Sequence, residues 1–134
     1  MSRENVELIR AGAPLLRRLL DGEDVPNEEF TVLNPDVEIT ALTGSYRGVD
    51  GFKQWVGELR ATFGNLPWLA QEYVDAGDLG VLVISTARVE GAHRGTEYEH
   101  ELPNLYTLSG EQIVRVRSFA SRTEALAAVE AASA

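Results

Sequence analysis

Apolar residues recur with helical spacing in the first half of the chain. Residues 3–20 are predicted to form a first helix, which Pro14 interrupts and Asp21-Gly22 ends. Residues 26–33 predict a short second helix, and residues 49–63 predict an amphipathic third helix. The apolar positions of the third helix are Phe52, Trp55, Val56, Leu59 and Phe63.

The rest of the chain alternates between apolar and polar residues, as strands do. Residues 36–42 predict a first strand, residues 43–48 (TGSYRG) a loop, and residues 122–131 a closing helix. Turn signals (AGD, EGAHRG and SGE) separate four further strands and indicate antiparallel hairpins; these strands are residues 66–75, 79–90, 96–108 and 112–119. The order predicts an α+β fold, a curved antiparallel sheet with helices on a single face, as one domain over residues 1–134.

One predicted strand carries an unusually polar row of side chains. Residues 97–108, EYEHELPNLYTL, place every second residue on the same face, and that row is Tyr98, His100, Leu102, Asn104, Tyr106 and Leu108. On the last strand, Val114, Val116 and Ser118 are predicted to share the inward face. We therefore expect these side chains to line a mainly apolar cavity with a few hydrogen-bonding groups.

Composition and charge exclude several classes of function. The chain has 134 residues and no cysteine, so disulfides and thiolate zinc sites are impossible. A net charge of −9 repels phosphate backbones, which argues against a nucleic-acid partner. No apolar run is long enough to cross a membrane, and the N-terminus lacks the apolar stretch of a secretion signal. We expect a cytoplasmic protein without a metal or cofactor.

Five phrases, together spanning almost the whole chain, are similar to one family. They are SRENVELIR, NPDVEI, YRGVDGFKQWV, AGDLGVLV and IVRVRSFASRTEALAAV. Their order resembles the SnoaL-like branch of the nuclear-transport-factor-like superfamily, whose members share the ketosteroid-isomerase-type cone fold. The resemblance implies a curved sheet wrapped around helices, a pocket at the wide end, and a homodimer through the outer sheet face.

The isomerase members of that superfamily need a carboxylate base and an oxyanion hole. The base position falls on Ile39, which cannot accept a proton, and the position of the first-helix tyrosine falls near Leu15. The position of the protonated acid falls on Asn104, which can donate a hydrogen bond. The sequence therefore argues against steroid-isomerase chemistry.

His100 is the remaining candidate for acid–base catalysis, with Asn104 polarising a carbonyl group. The alternative is a structural histidine satisfied by a tyrosine hydroxyl or a water molecule. The predicted ligand-binding side chains are Tyr98, Tyr106, Ile39, Tyr46, Trp55, Trp68, Val116 and Ser118. Among them, Tyr46 is placed at the mouth of the cone, and Trp55 and Trp68 can also serve the core.

Two hypotheses follow. The first is a protein that holds a small apolar organic ligand and, if catalytic, performs cofactor-free cyclase, isomerase or lyase chemistry. The second is a non-catalytic binding or interaction module with a degenerate active site. The sequence does not identify the ligand.

Overall fold

The computed structural model describes residues 2–63, 68–90 and 97–133. Three helices are present there, α1 (Ser2–Leu20), α2 (Gly48–Phe63) and α3 (Arg122–Ser133). Helix α1 continues across Pro14. The predicted second helix is only a 3-10 turn at Asn27–Glu29. The EGAHRG turn lies largely outside the described residues.

Six strands form one mixed sheet in the order β2-β1-β6-β5-β4-β3. Their bounds are β1 (Leu33–Ala41), β2 (Gly44–Arg47), β3 (Trp68–Asp75), β4 (Val81–Glu90), β5 (Glu97–Ser109) and β6 (Gln112–Ser118). Strands β3 to β6 form the expected antiparallel hairpins, but β1 pairs with β6 in parallel, with Ile39 opposite Val116. The prediction of a purely antiparallel sheet was wrong at this pair, because short turns reveal the direction of chain neighbours only.

The predicted TGSYRG loop contains a strand. Strand β2 pairs antiparallel with β1, and Tyr46 lies opposite Ile39. Strand β2 has four residues, too few to show a clear alternation. The Thr-Gly-Ser sequence at its start is typical of a turn, and the segment was therefore predicted to be a loop.

The helices cover both faces of the sheet. Helices α1 and α2 pack on one face, where Ile9, Phe52 and Trp55 join the main core. Helix α3 contributes Ala125 to a second cluster on the opposite face, with Ile84 and Leu105. The prediction of helices on a single face was wrong, since the small apolar side chains of α3 can pack on a sheet from either side. The homodimer through the outer face stays a prediction.

A bulge in β6 changes which residues face inward. The pairing of β5 with β6 shifts between Thr107 and Leu108, and Ile113, not Val114, is buried with Val116 in the helix-side core. An extra residue in one strand reverses the alternation on one side of it. The inward position of Val114 was therefore predicted wrongly.

Candidate functional site

The helix-side interior is incompletely filled. A cavity of about 70 Å³, here called the α1 cavity, lies between α1, α2 and the sheet. Its walls are mainly apolar and include Ile9, Leu16 and Phe52 from the helices and Val83 from β4. A space of this size and composition suits part of an apolar ligand.

A second cavity, of about 210 Å³, lies between α2, the end of β1 and strands β5 and β6. We call it the α2 cavity. One face of α2 forms a wall, because positions three and four apart share a helix face. These α2 residues are Trp55, Glu58, Leu59, Thr62 and Phe63.

The two cavities adjoin. Trp55 and Leu59 of α2 and Leu102 and Asn104 of β5 line both. The polar row of β5 runs along both cavities. Tyr106 lies on the α1 cavity and His100 on the α2 cavity, with Asn104 between them.

Among the described polar side chains of this row, Tyr106 is the most deeply buried, with 7% of its surface exposed. Its hydroxyl has no hydrogen bond to another residue in the described part of the chain. Burial raises the pKa of Tyr106 well above its usual value, and the neighbouring Tyr73 adds to the effect. The phenol therefore stays protonated and can donate a hydrogen bond into the α1 cavity.

Three other polar side chains of the α1 cavity satisfy one another. The Tyr73 hydroxyl donates to Gln71 Oε1 over 3.2 Å, and Gln71 Nε2 donates to Ser85 Oγ over 3.1 Å. Gln71 and Ser85 face each other across β3 and β4. The guanidinium of Arg10 lies 4.7 Å from the Tyr73 ring centre. The chain of bonds leaves little capacity for a ligand at these three side chains.

Asn104 has unused hydrogen-bonding capacity. Ser118 Oγ donates to Asn104 Oδ1 over 2.6 Å, which fixes the orientation of the carboxamide. The amide Nδ2 has no partner among the described residues. Asn104 can therefore donate to a ligand where the two cavities meet.

His100 is half-buried on the wall of the α2 cavity. Its ring stacks on Phe63, with 5.4 Å between ring centres and 28° between ring planes. Stacking limits rotation of the imidazole ring, so one edge of it keeps a defined direction.

Tyr46 does not line either cavity. Its hydroxyl donates to Glu58 Oε1 over 2.7 Å, and this hydrogen bond raises the pKa of Tyr46 above its usual value. Glu58 itself lines the α2 cavity. The sequence analysis missed Glu58, although its position three residues after Trp55 placed it on the same helix face.

The remaining predicted ligand-binding residues include core residues, cavity-lining residues and residues whose side chains are not described. Ile39 and Val116 are fully buried in the main core and do not line either cavity. Ser118 lines the α2 cavity, and Trp55 lines both. The side chains of Trp68 and Tyr98 lie outside the described residues.

The predicted site residues also omit Gln71, Tyr73 and Ser85. Gln71 and Tyr73 stand two apart on β3, so they share its inward face, and this alternation was the available signal. In the described ranges, no three of the histidine, aspartate and glutamate side chains are grouped to hold a metal ion. No helix there is both long and apolar enough to span a membrane.

No protein-family model matches the sequence, and no curated protein matches it. Solved structures do match over nearly the whole chain. TerC, co-crystallised with polyporic acid, is 21% identical, with a TM-score of 0.64 over 94% of this chain and 98% of TerC. A hypothetical protein with a ketosteroid-isomerase-like fold from Catenulispora acidiphila, in complex with trimethylamine, is 20% identical, with a TM-score of 0.62 over 90% of both chains.

A putative SnoaL-like polyketide cyclase from Jannaschia is 17% identical, with a TM-score of 0.64 over 98% of this chain and 94% of its own. The chain has the SnoaL-like, nuclear-transport-factor-like fold. The fold expected from the five sequence phrases is therefore confirmed. Identities this low show the fold alone. Many functions share such a fold, so function must be argued from the cavities of this chain.

Proposed function

We propose that this SnoaL-like protein binds a small, mainly apolar organic ligand in the α1 and α2 cavities. The observation that carries the proposal is the position of Asn104 on both cavities with its amide Nδ2 unused. Tyr106 adds a second unused donor in the α1 cavity. An apolar ligand with a carbonyl or hydroxyl oxygen fits this arrangement. TerC and the Catenulispora protein, which share the fold, were crystallised with small molecules.

The chemistry we propose for the site is a cofactor-free cyclase, isomerase or lyase reaction. His100 would move the proton, and Asn104 would polarise the ligand carbonyl. Both line the α2 cavity, which supports their acting on one ligand. Replacing His100 by Ala would then abolish turnover and leave ligand affinity nearly unchanged.

The second candidate is a non-catalytic binding module. Ile39 favours it, because a fully buried isoleucine occupies the position of the isomerase base. No turnover of any bound carbonyl compound by the wild-type protein would select this candidate. Unchanged turnover in His100→Ala would instead remove His100 from the proposed chemistry.

Binding itself is tested with 4-phenyl-1-butanol, an apolar molecule with one hydroxyl group. We expect calorimetric titration to give a Kd on the order of 0.1–1 mM, as is usual for a ligand of this size. Ala13→Leu should lower the affinity at least about tenfold, because Ala13 lines the α1 cavity and a larger side chain fills it.

The matched control is Ala131→Leu, the same substitution at an exposed position of α3. It should leave the affinity unchanged. Equal affinities of the wild-type protein and Ala13→Leu would contradict binding in the α1 cavity.

A further inference from the structure

Glu58 is the one aspartate, glutamate, lysine or arginine among the described residues that line the α2 cavity. The wall therefore carries a carboxylate and lacks a lysine or arginine there to neutralise it. A ligand that enters this space meets a negative charge on an exposed side chain, which solvent screens in part.

A hydrogen bond holds the carboxylate in place. The Tyr46 hydroxyl donates to Oε1, and Oε2 stays available. Glu58 has no cationic partner in the described ranges. By contrast, Arg47 engages Glu38, and Arg122 engages Glu101. Glu58 is thus an anion held by one hydrogen bond, with no counter-ion among the residues that the structure describes.

Aromatic side chains line the same cavity. Trp55 and Phe63 lie on the same face of α2 as Glu58, within two turns of the helix. The faces of aromatic rings attract cations, and a carboxylate near them provides the matching charge. The combination suits a protonated amine and is unfavourable for a carboxylate ligand.

We propose that the α2 cavity selects its ligand by charge, so that the ligand is an apolar molecule with a basic nitrogen, whose ammonium group pairs with Glu58. The apolar body of this ligand extends past Asn104 into the α1 cavity. The inference rests on the proposed function, since it assumes that a small molecule occupies the joined cavities.

Three probes of one shape test the proposal, 4-phenylbutylamine, 4-phenyl-1-butanol and 4-phenylbutyrate. Each is titrated calorimetrically at pH 8.0. A partly exposed ion pair is worth up to about 1 kcal/mol, or about fivefold in affinity. We therefore expect the amine to bind about fivefold more tightly than the alcohol and the carboxylate about fivefold more weakly.

Glu58→Gln should make the affinities of the three probes nearly equal. Tyr46→Phe should reduce the preference for the amine only in part, because Glu58 loses the hydrogen bond that orients it. The matched control is Glu111→Gln, which removes the same charge from an exposed turn that does not line either cavity. It should leave the order of affinities unchanged.

The outcomes separate the two proposals. Binding of the alcohol with no preference for the amine, or a preference that Glu58→Gln leaves intact, overturns charge selection and leaves the proposed function standing. Absence of binding by all three probes overturns both.

Discussion

Tyr106 shows how one side chain can be made available for a ligand. A buried hydroxyl group usually bonds to the protein, because leaving it unpaired costs free energy. Here Tyr73, which acts electrostatically on Tyr106, donates its own hydroxyl to Gln71 Oε1, and the Tyr106 hydroxyl faces the cavity. The same reasoning applies to the amide Nδ2 of Asn104, since Ser118 occupies only the oxygen.

Replacing Tyr106 by Phe should leave the free energy of unfolding of the ligand-free protein within about 0.5 kcal/mol of the wild-type value, because no protein hydrogen bond is lost. Replacing Tyr73 by Phe should cost about 1 kcal/mol, because Gln71 Oε1 loses its donor. Urea denaturation of both variants measures the difference. A larger loss in Tyr106→Phe than in Tyr73→Phe would show that the Tyr106 hydroxyl is bonded within the protein.

Alternation along β5 predicts that its polar residues share one face of the sheet. Asn104 and Tyr106 lie on the α1 cavity, and His100 on the α2 cavity. Helix spacing and strand alternation place Glu58 and Gln71 on inward faces, but these signals do not single them out as cavity residues. A glutamate on an amphipathic helix or a glutamine on a strand is usually solvated, and only the packing of distant segments shows that these two face a cavity.

At the scale of elements, the turn between β3 and β4 packs closely against the backbone of β5 at Tyr106. Gly80 has a φ of +117°, and a Cβ atom there would lie 1.9 Å from the backbone oxygen of Tyr106. Val81, the next residue, pairs with Tyr106 across β4 and β5. The close approach of this turn therefore helps to set the position of Tyr106.

Gly80→Ala should lower the free energy of unfolding by about 3 kcal/mol or more, because the turn or β5 must move. Gly77 offers a control in the same turn. Its φ is +61°, but a Cβ atom there meets nothing within 4 Å, so Gly77→Ala should cost only about 1 kcal/mol. Similar losses in the two variants, measured by chemical denaturation, would contradict the role of the close approach.

Helix α3 is attached to the outer face through Arg122 as well as through its apolar residues. Arg122 Nη2 lies 2.6 Å from Glu101 Oε2, and Arg122 Nη1 lies 3.0 Å from Glu72 Oε2. The hydrogen bond from Arg122 holds the pKa of Glu101 below its usual value. A carboxyl group with a lowered pKa in the folded state stabilises the fold above its unfolded pKa, and this contribution disappears as the pH falls through the folded pKa.

Glu101→Gln should therefore lower the Tm by about 2 °C at pH 7, which is modest because both side chains are partly exposed. The difference from the wild-type protein should disappear once the pH is below the lowered pKa of Glu101. Thermal melts recorded from pH 7 down to pH 3 follow this change. A difference that stays constant or grows on acidification would contradict the ion-pair account.

The helices and strands were more predictable than the pairing and packing between them. The spacing of apolar residues indicated α1, α2 and α3, and the turn signals indicated the β3–β6 meander. The parallel pairing of β1 with β6 and the outer position of α3 could not be obtained in this way. Both depend on contacts between segments far apart in sequence, which local periodicity does not encode.

At the scale of the whole molecule, the outer face of the sheet is closely packed, whereas the helix-side face also carries the cavities. The outer cluster that includes Leu82, Ile84 and Ala125 joins α3 to the sheet. The helix-side core is well buried around Ile39 and Val116 but leaves space where α1 and α2 approach β5. A SnoaL-like sheet can therefore remain stable while part of its interior is available to a ligand.

The central claim is that a ligand occupies the space in which the two cavities meet at Asn104. Nuclear magnetic resonance of the isotope-labelled protein, titrated with 4-phenyl-1-butanol, tests it most directly. The account predicts that the side-chain amide signals of Asn104 and the methyl signals of Leu59 and Leu102 shift together and saturate. Shifts confined to Leu105 and Ala125 on the outer face, or no shift at millimolar ligand, would contradict it.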